Sequence, residues 1–229
     1  PSVLDVAAGP GYFTALLSRM VGSEGRVVAL DSHRPHIEEI EKLKRLSAHD
    51  NVSVYEGDFD TYAFDAQFDL IFCSNFICYY QDPKPVFERF LSILNPGGRI
   101  IIRESDARNI LVGMLPDRLA ACFLSPPPGP YPTKNRPNNF TAGSILDLIA
   151  SYQPKSIDIT PLPILFQRPL TQDQKTYIEG FFQLLAEERH RFAPKELVLE
   201  WKKQIDPTSE QYLLNKKGFF FSMTEYAFC

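Results

Sequence analysis

Residues Val3 to Thr14 read VLDVAAGPGYFT. An apolar run interrupted by Asp5 enters a turn at Ala7, Ala8, Gly9, Pro10 and Gly11, and an apolar pattern of helical period follows directly. That order is a buried strand, a tight turn and a helix. Glycine in such a turn lets backbone pass close to a ligand, because it has no Cβ. The first turn of the helix then presents free N–H groups to the same place.

Outward from this unit, strand and helix alternate. Phe13, Leu16, Leu17, Met20 and Val21 follow the turn at helical spacing and are expected to be buried, with Gly22 as the stop. Arg26–Asp31 (RVVALD) is a second strand. The helix after it has Pro35 in its first turn and Ile37, Ile40, Leu43 and Leu46 on one face. Asn51–Glu56 and Phe68–Cys73 (FDLIFC) are the third and fourth strands. Asp82 and Pro83 open a helix with Val86, Phe87, Phe90, Leu91 and Leu94 on one face. NPGG at 95–98 reads as a turn into a fifth strand, Arg99–Arg103. Short apolar strands alternating with helices imply a parallel sheet covered on both faces.

After Glu104 the rhythm breaks. Residues 106–124 read as helical, and Ser125–Pro137 (SPPPGPYPTKNRP) as a proline-rich loop. Thr141 caps a helix to about Ala150, and Ser156–Thr160 reads as a sixth strand. A helical insertion follows. Thr171 and Gln174 form a capping box ahead of Tyr177, Ile178, Phe181, Phe182 and Leu185, and a further helix carries Leu197, Val198 and Trp201. Gly218–Phe228 (GFFFSMTEYAF) is the last strand. The whole, residues 1–229, reads as a single domain, with 105–140 and 161–215 departing from its core as expected substrate-lid segments.

Composition narrows the partners. The formal net charge is −4, which speaks against nucleic acid, whose binding needs clustered Lys and Arg. The basic run Lys42, Lys44, Arg45 is interleaved with Glu38, Glu39 and Glu41 and reads as a solvated helix face. Cysteines at 73, 78, 122 and 229 have neither metal-ligand nor disulfide-framework spacing, so no metal and a reduced, cytoplasmic setting are expected. No apolar run approaches the roughly 20 residues of a membrane span. His33, His36 and His49 are expected to face solvent, as is His190 in the insertion.

The ligand of the turn is a nucleotide on either of two readings. A dinucleotide fingerprint wants a third glycine where Thr14 stands. Asp31, at the end of the second strand, can accept hydrogen bonds from both ribose hydroxyls of either a dinucleotide or S-adenosylmethionine. Asp58, in Gly57-Asp58-Phe59 after the third strand, can accept from an adenine amino group.

LDVAAGPG, VVALDSH, EGDFD, FDLIFCSNFICYY and LNPGGRIIIRE, in this order over residues 2–104, resemble the successive motifs of class I S-adenosylmethionine-dependent methyltransferases. The resemblance is to the small-molecule type, similar to ubiquinone/menaquinone methyltransferases. It implies a Rossmann-like seven-stranded, mostly parallel sheet with helices on both faces and an antiparallel last strand, the helical insertion lying before it. It implies S-adenosyl-L-methionine as cofactor. Gly9 and Gly11 would then pass the methionine portion, with Ala7 at the motif's first glycine; Asp5 would organise the loop. Asp31 and Ser32 would meet the ribose, Asp58 and Phe59 the adenine, and Ser74 and Asn75 would border the sulfonium and the acceptor.

Methyl transfer is an in-line displacement at carbon, so alignment and exclusion of water matter most. A base is needed only where the nucleophile must lose a proton. Tyr79, Tyr80 and Glu104, with Arg103 beside the last, are the candidate catalytic groups. The aromatic stripe Tyr177, Phe181, Phe182 and Trp201 fits a core, and as a lid would suit a lipophilic or aromatic small molecule. Helices that precede the first strand in the family cover the cofactor; only Pro1 and Ser2 precede it here, so that cover is expected to be missing. The alternatives are a cofactor-binding protein without activity and, opposed by Thr14, a nicotinamide-dependent oxidoreductase.

Overall fold

The apolar runs form adjacent strands of one sheet in a computed structural model, which describes residues 1–47, 50–125, 141–190 and 192–229. β1 (Ser2–Val6) leads into α1 (Tyr12–Val21), β2 (Arg26–Asp31), α2 (Arg34–Ser47), β3 (Val52–Glu56) and β4 (Phe68–Ser74). α3 (Lys84–Ser92) and β5 (Leu94–Ser105) complete the alternating part. Then come β6 (Leu111–Val112), α4 (Asp117–Phe123), α5 (Ala142–Ser151), β7 (Ile159–Gln167), α6 (Gln172–Arg189), α7 (Lys195–Ile205) and β8 (Phe220–Phe228).

The strand order begins β3-β2-β1-β4-β5, all parallel. β1 therefore lies between β2 and β4, and the chain reverses its direction of travel across the sheet there. That is the switch point, beyond which open α/β sheets bind ligands. β8 runs antiparallel to its neighbours. One edge takes β5 at residues 225–228 and β6 at 221–222; the other takes β7 along the whole of Phe220–Phe228.

Two cores result. Leu4, Leu30, Phe59, Ile71, Phe90, Ile102 and Phe228 are buried with Ile145 and Ile149 of α5. Phe221 and Met223 of β8 close a second core with Leu119, Phe123, Phe182 and Trp201. In it Trp201 stacks on Phe123 at 4.3 Å and donates its ring N–H to the Phe182 carbonyl at 3.3 Å. The predicted capping box forms at Thr171 with Gln174, and the predicted cap at Thr141 is a capping box as well, with Ser144.

The structure corrects several sequence readings. The sheet has eight strands among the described residues, not seven, because β6 adds two residues of pairing. The stretch 106–124 is helical only in a 3-10 turn, Ala107–Asn109, and in α4. Asp106 takes the Arg108 N–H and starts that turn, and Pro116 marks where α4 begins. NPGG lies inside β5, at the point where its register on β4 slips. The sixth main strand is Ile159–Gln167, so the first residues of the expected second lid segment belong to the sheet. On α1, Leu17 is buried but Leu16 and Met20 are 45% and 73% exposed. Phe13, Leu17 and Val21 repeat at i, i+4, i+8 and suffice to cover the sheet. The proline-rich loop from residue 126 and His49 lie outside the described residues. Among the described residues, no helix is long and apolar enough to cross a membrane.

Candidate active site

A cavity of about 880 Å³ opens beyond the carboxyl ends of β1 to β4. Of the predicted residues, Ala7, Asp31, Ser32, Asp58, Phe59, Tyr79 and Tyr80 line it. Asp5, Gly9, Gly11, Ser74, Asn75 and Glu104 are not in its wall, and their hydrogen bonds give most of them supporting positions.

The turn at 7–11 is left-handed at three residues. Gly9 has φ 55° and Gly11 φ 86°, the region where glycine is at ease. A Cβ on Gly11 would come within 2.8 Å of Ile40 Cγ1, so its absence also lets α2 pack against the turn. Ala7 adopts φ 53° with a side chain, which costs on the order of 1 kcal/mol. The motif geometry therefore persists without its first glycine. Asn75, after β4, has φ 49°.

Asp31 ties this turn to β2. It is 7% exposed and accepts the Gly9 N–H on Oδ2 at 2.8 Å and the His33 N–H on Oδ1 at 2.8 Å. Asp5 sits behind the turn, where its Oδ2 accepts the Thr14 hydroxyl at 2.6 Å. Thr14 thus replaces a third glycine with a buried anchor. Burial pushes the Asp5 carboxyl up to about 7, against the Thr14 bond and with help from the nearby Asp31 charge.

Asp58 accepts the Asp60 N–H at 2.9 Å, fixing the turn after β3. Phe59 is 4% exposed and packs edge-on to Phe76. The Arg89 guanidinium lies 5.2 Å from the Phe59 ring centre and is anchored by the Tyr62 carbonyl. Tyr80 donates to Asp60 Oδ1 at 3.0 Å, and burial together with that bond holds the phenol protonated. Tyr79 is 43% exposed at the cavity rim.

Glu104 is buried and accepts the Phe76 and Ile77 amides at 2.8 and 2.7 Å. It caps the 3-10 turn Ile77–Tyr79 and so places Tyr79 and Tyr80. Burial raises its carboxyl to about 7 against the two amide bonds. At the ends of β4 and β5, Arg103 donates to the Ser74 hydroxyl at 2.7 Å and pairs with buried Glu225 of β8. The same guanidinium lies 5.1 Å from the Phe13 ring centre, and Ser105 bridges Asn75 and Glu225.

Sequence reasoning missed Arg89, Glu225 and His36. Arg89 stands one helical turn after Pro85, and both face the cavity, so helix periodicity carried that signal. Glu225 lies in an alternating strand, and nothing local marked it. His36 was assigned to solvent but its Nδ1 lies 3.2 Å from Asp31 Oδ1. Of the aromatic stripe, Phe182 and Trp201 are fully buried in the second core, and only Tyr177 reaches the surface substantially, at 41% exposed.

A switch-point cavity with an acid at the end of β2 and a glycine turn after β1 defines a class of nucleotide-cofactor enzymes, and comparison with known proteins narrows it. Residues 1–122 match the methyltransferase-domain family. The ubiquinone/menaquinone biosynthesis C-methyltransferase UbiE of Enterobacter sp. (strain 638) is 34% identical over 105 residues, which are 45% of this chain and 42% of that protein. The match thus spans less than half of the relative's length. Among solved structures, the YcgJ protein from Bacillus subtilis superposes with a TM-score of 0.58 at 13% identity, over 99% of this chain and 89% of that one. A methyltransferase from Thiobacillus denitrificans, in complex with S-adenosyl-L-homocysteine, gives 0.53 at 17% identity, over 100% and 84%. These two likenesses concern the fold. The chain belongs to the methyltransferase-domain family.

Proposed function

We propose that the protein binds S-adenosyl-L-methionine in the switch-point cavity and transfers its methyl group to a small aromatic or lipophilic acceptor. The observation that carries the reading is the cavity itself, which has Asp31 in one wall and Asp58 and Phe59 in another, as a nucleoside requires. The residues fit the group. Asp31 is an oriented carboxylate for the ribose hydroxyls, Asp58 an acceptor for the adenine amino group, and Phe59 an apolar face beside the base. The left-handed turn leaves open space at Gly9 for the methionine portion. Bound there, the cofactor supplies a methyl group on a positively charged sulfur.

The chain's own groups then orient and enclose. Glu104 holds the turn that carries Tyr79 and Tyr80, which wall the cavity on its far side. Ser74 and Asn75 stand behind the wall on the acceptor side, where Arg103 and Glu225 fix Ser74 and Ser105 in place. Phe76, Tyr79 and Tyr80 make that side aromatic, which suits a lipophilic or ring-bearing acceptor. The Enterobacter relative, named for C-methylation in quinone biosynthesis, supports the same class.

The test is calorimetric titration of S-adenosyl-L-homocysteine into the wild type and into Asp31→Ala. Micromolar binding that the variant loses supports the reading and justifies an acceptor screen. A folded wild type that binds nothing refutes it.

A further inference from the structure

The carboxylate that faces the cavity at the end of β2 is held on three sides. A carboxylate offers about four lone-pair directions. On Asp31, Oδ2 takes the Gly9 N–H at 2.8 Å; Oδ1 takes the His33 N–H at 2.8 Å and the His36 ring Nδ1 at 3.2 Å. His36 is on the first turn of α2 and reaches Asp31 from the helix, while Asp31 and Ser32 line the cavity. The imidazole is itself held. Its backbone N–H donates to the His33 carbonyl at 2.9 Å, and its ring packs edge-on to His33 at 4.7 Å. The side chain is 38% exposed, so it is a small structural element with little core to lose.

We infer that His36 is a positioning residue for the cofactor's ribose: its Nδ1–H fixes the Asp31 carboxylate in the rotamer that presents an oxygen to the cavity. The inference rests on the proposed cofactor reading. Three donors on one carboxylate remove its torsional freedom before a ligand arrives, and preorganisation of this kind appears as affinity. The two backbone donors belong to the folded turn and the start of α2, so the imidazole is the one donor that a side-chain change removes.

The experiment uses the full chain and two ligands, S-adenosyl-L-homocysteine and its 2′,3′-dideoxyribose analogue, titrated into wild type, His36→Ala and His36→Asn. Loss of this preorganisation is expected to weaken S-adenosyl-L-homocysteine about fivefold in His36→Ala. Asn places an amide N–H where the ring Nδ1–H stood, so His36→Asn is expected within about twofold of wild type. The analogue has no hydroxyls for Asp31 to grip, so His36→Ala and wild type should bind it equally. Melting temperatures of both variants check that the fold is intact.

Two results would overturn the inference while leaving the cofactor reading standing: unchanged affinity for S-adenosyl-L-homocysteine in His36→Ala, or an equal loss for both ligands. A wild type that binds neither ligand removes the cofactor reading and this inference with it.

Discussion

Glu104→Gln isolates one buried carboxyl. The glutamine carbonyl can still accept the Phe76 and Ile77 amides, so the 3-10 turn keeps its cap. What changes is the titration. In the folded protein Glu104 is raised from 4.5 to about 7, chiefly by burial. The folded state therefore holds this proton more tightly than the unfolded chain. Stability from this group is complete below pH 4.5, falls as pH rises through the window to 7, and is level above it. The full shift corresponds to about 3 kcal/mol, and about 2–3 kcal/mol of it falls between pH 5 and pH 8. Asp5 gives a parallel slope from 3.8 to about 7, and it is present in both proteins. Urea unfolding of wild type and Glu104→Gln at pH 5 and pH 8 separates the two. The wild type is expected to lose about 2–3 kcal/mol more than the variant across that range. Equal losses would show that Glu104 titrates normally and that its burial does not set its proton affinity.

Four substitutions test the turn and the second core. Gly9→Ala and Gly11→Ala both force a side chain into left-handed backbone, but only the latter meets a neighbour, Ile40. Gly9→Ala is expected to cost about 1 kcal/mol and Gly11→Ala clearly more, read from chemical denaturation. Ala7→Gly is the converse: relief of φ 53° should raise stability by about 0.5–1 kcal/mol. Trp201→Ala removes a ring stacked on Phe123 and is expected to destabilise by about 3–5 kcal/mol, with exposure of the second core seen as dye binding.

The first half of the fold was legible because its strands are short apolar runs bounded by turns, and each motif of the site sits at a strand's end. Asp31 and Asp58 were placed by that rule, Ser32 and Phe59 by the family resemblance, and all four line the cavity. The second half resisted it. Leu111–Val112 is too short to show alternation, and β7 carries Pro161 and Pro163, which mask a strand that pairs on one side. Leu16 and Met20 have the spacing of buried residues, yet periodicity ranks faces without saying how many neighbours a helix has. His36 and Glu225 act through contacts across 5 and 122 residues of sequence, Asp31 and Arg103 being their partners. The Glu225 pairing is a property of the fold and leaves no mark in a local window, whereas the His36 contact is local in sequence and depends on how β2 turns into α2. Glu104 was singled out by its place at a strand end, where acceptors that cap the neighbouring turns also stand.

β8 supplies the remaining lesson, which concerns order of assembly. It is the sole bridge between β5 and β7 among the described residues, and it lends side chains to both cores. During synthesis, the five parallel strands emerge together with the turn and the acid that face the cavity. The second core cannot close until Met223 has left the ribosome, because Phe221 and Met223 form its floor. Until then Phe123, Phe182 and Trp201 remain open to solvent, a long-range closure of the kind that folds late and is exposed to misassembly. The five parallel strands and the second core thus emerge at different times, and the nine residues of β8 join them.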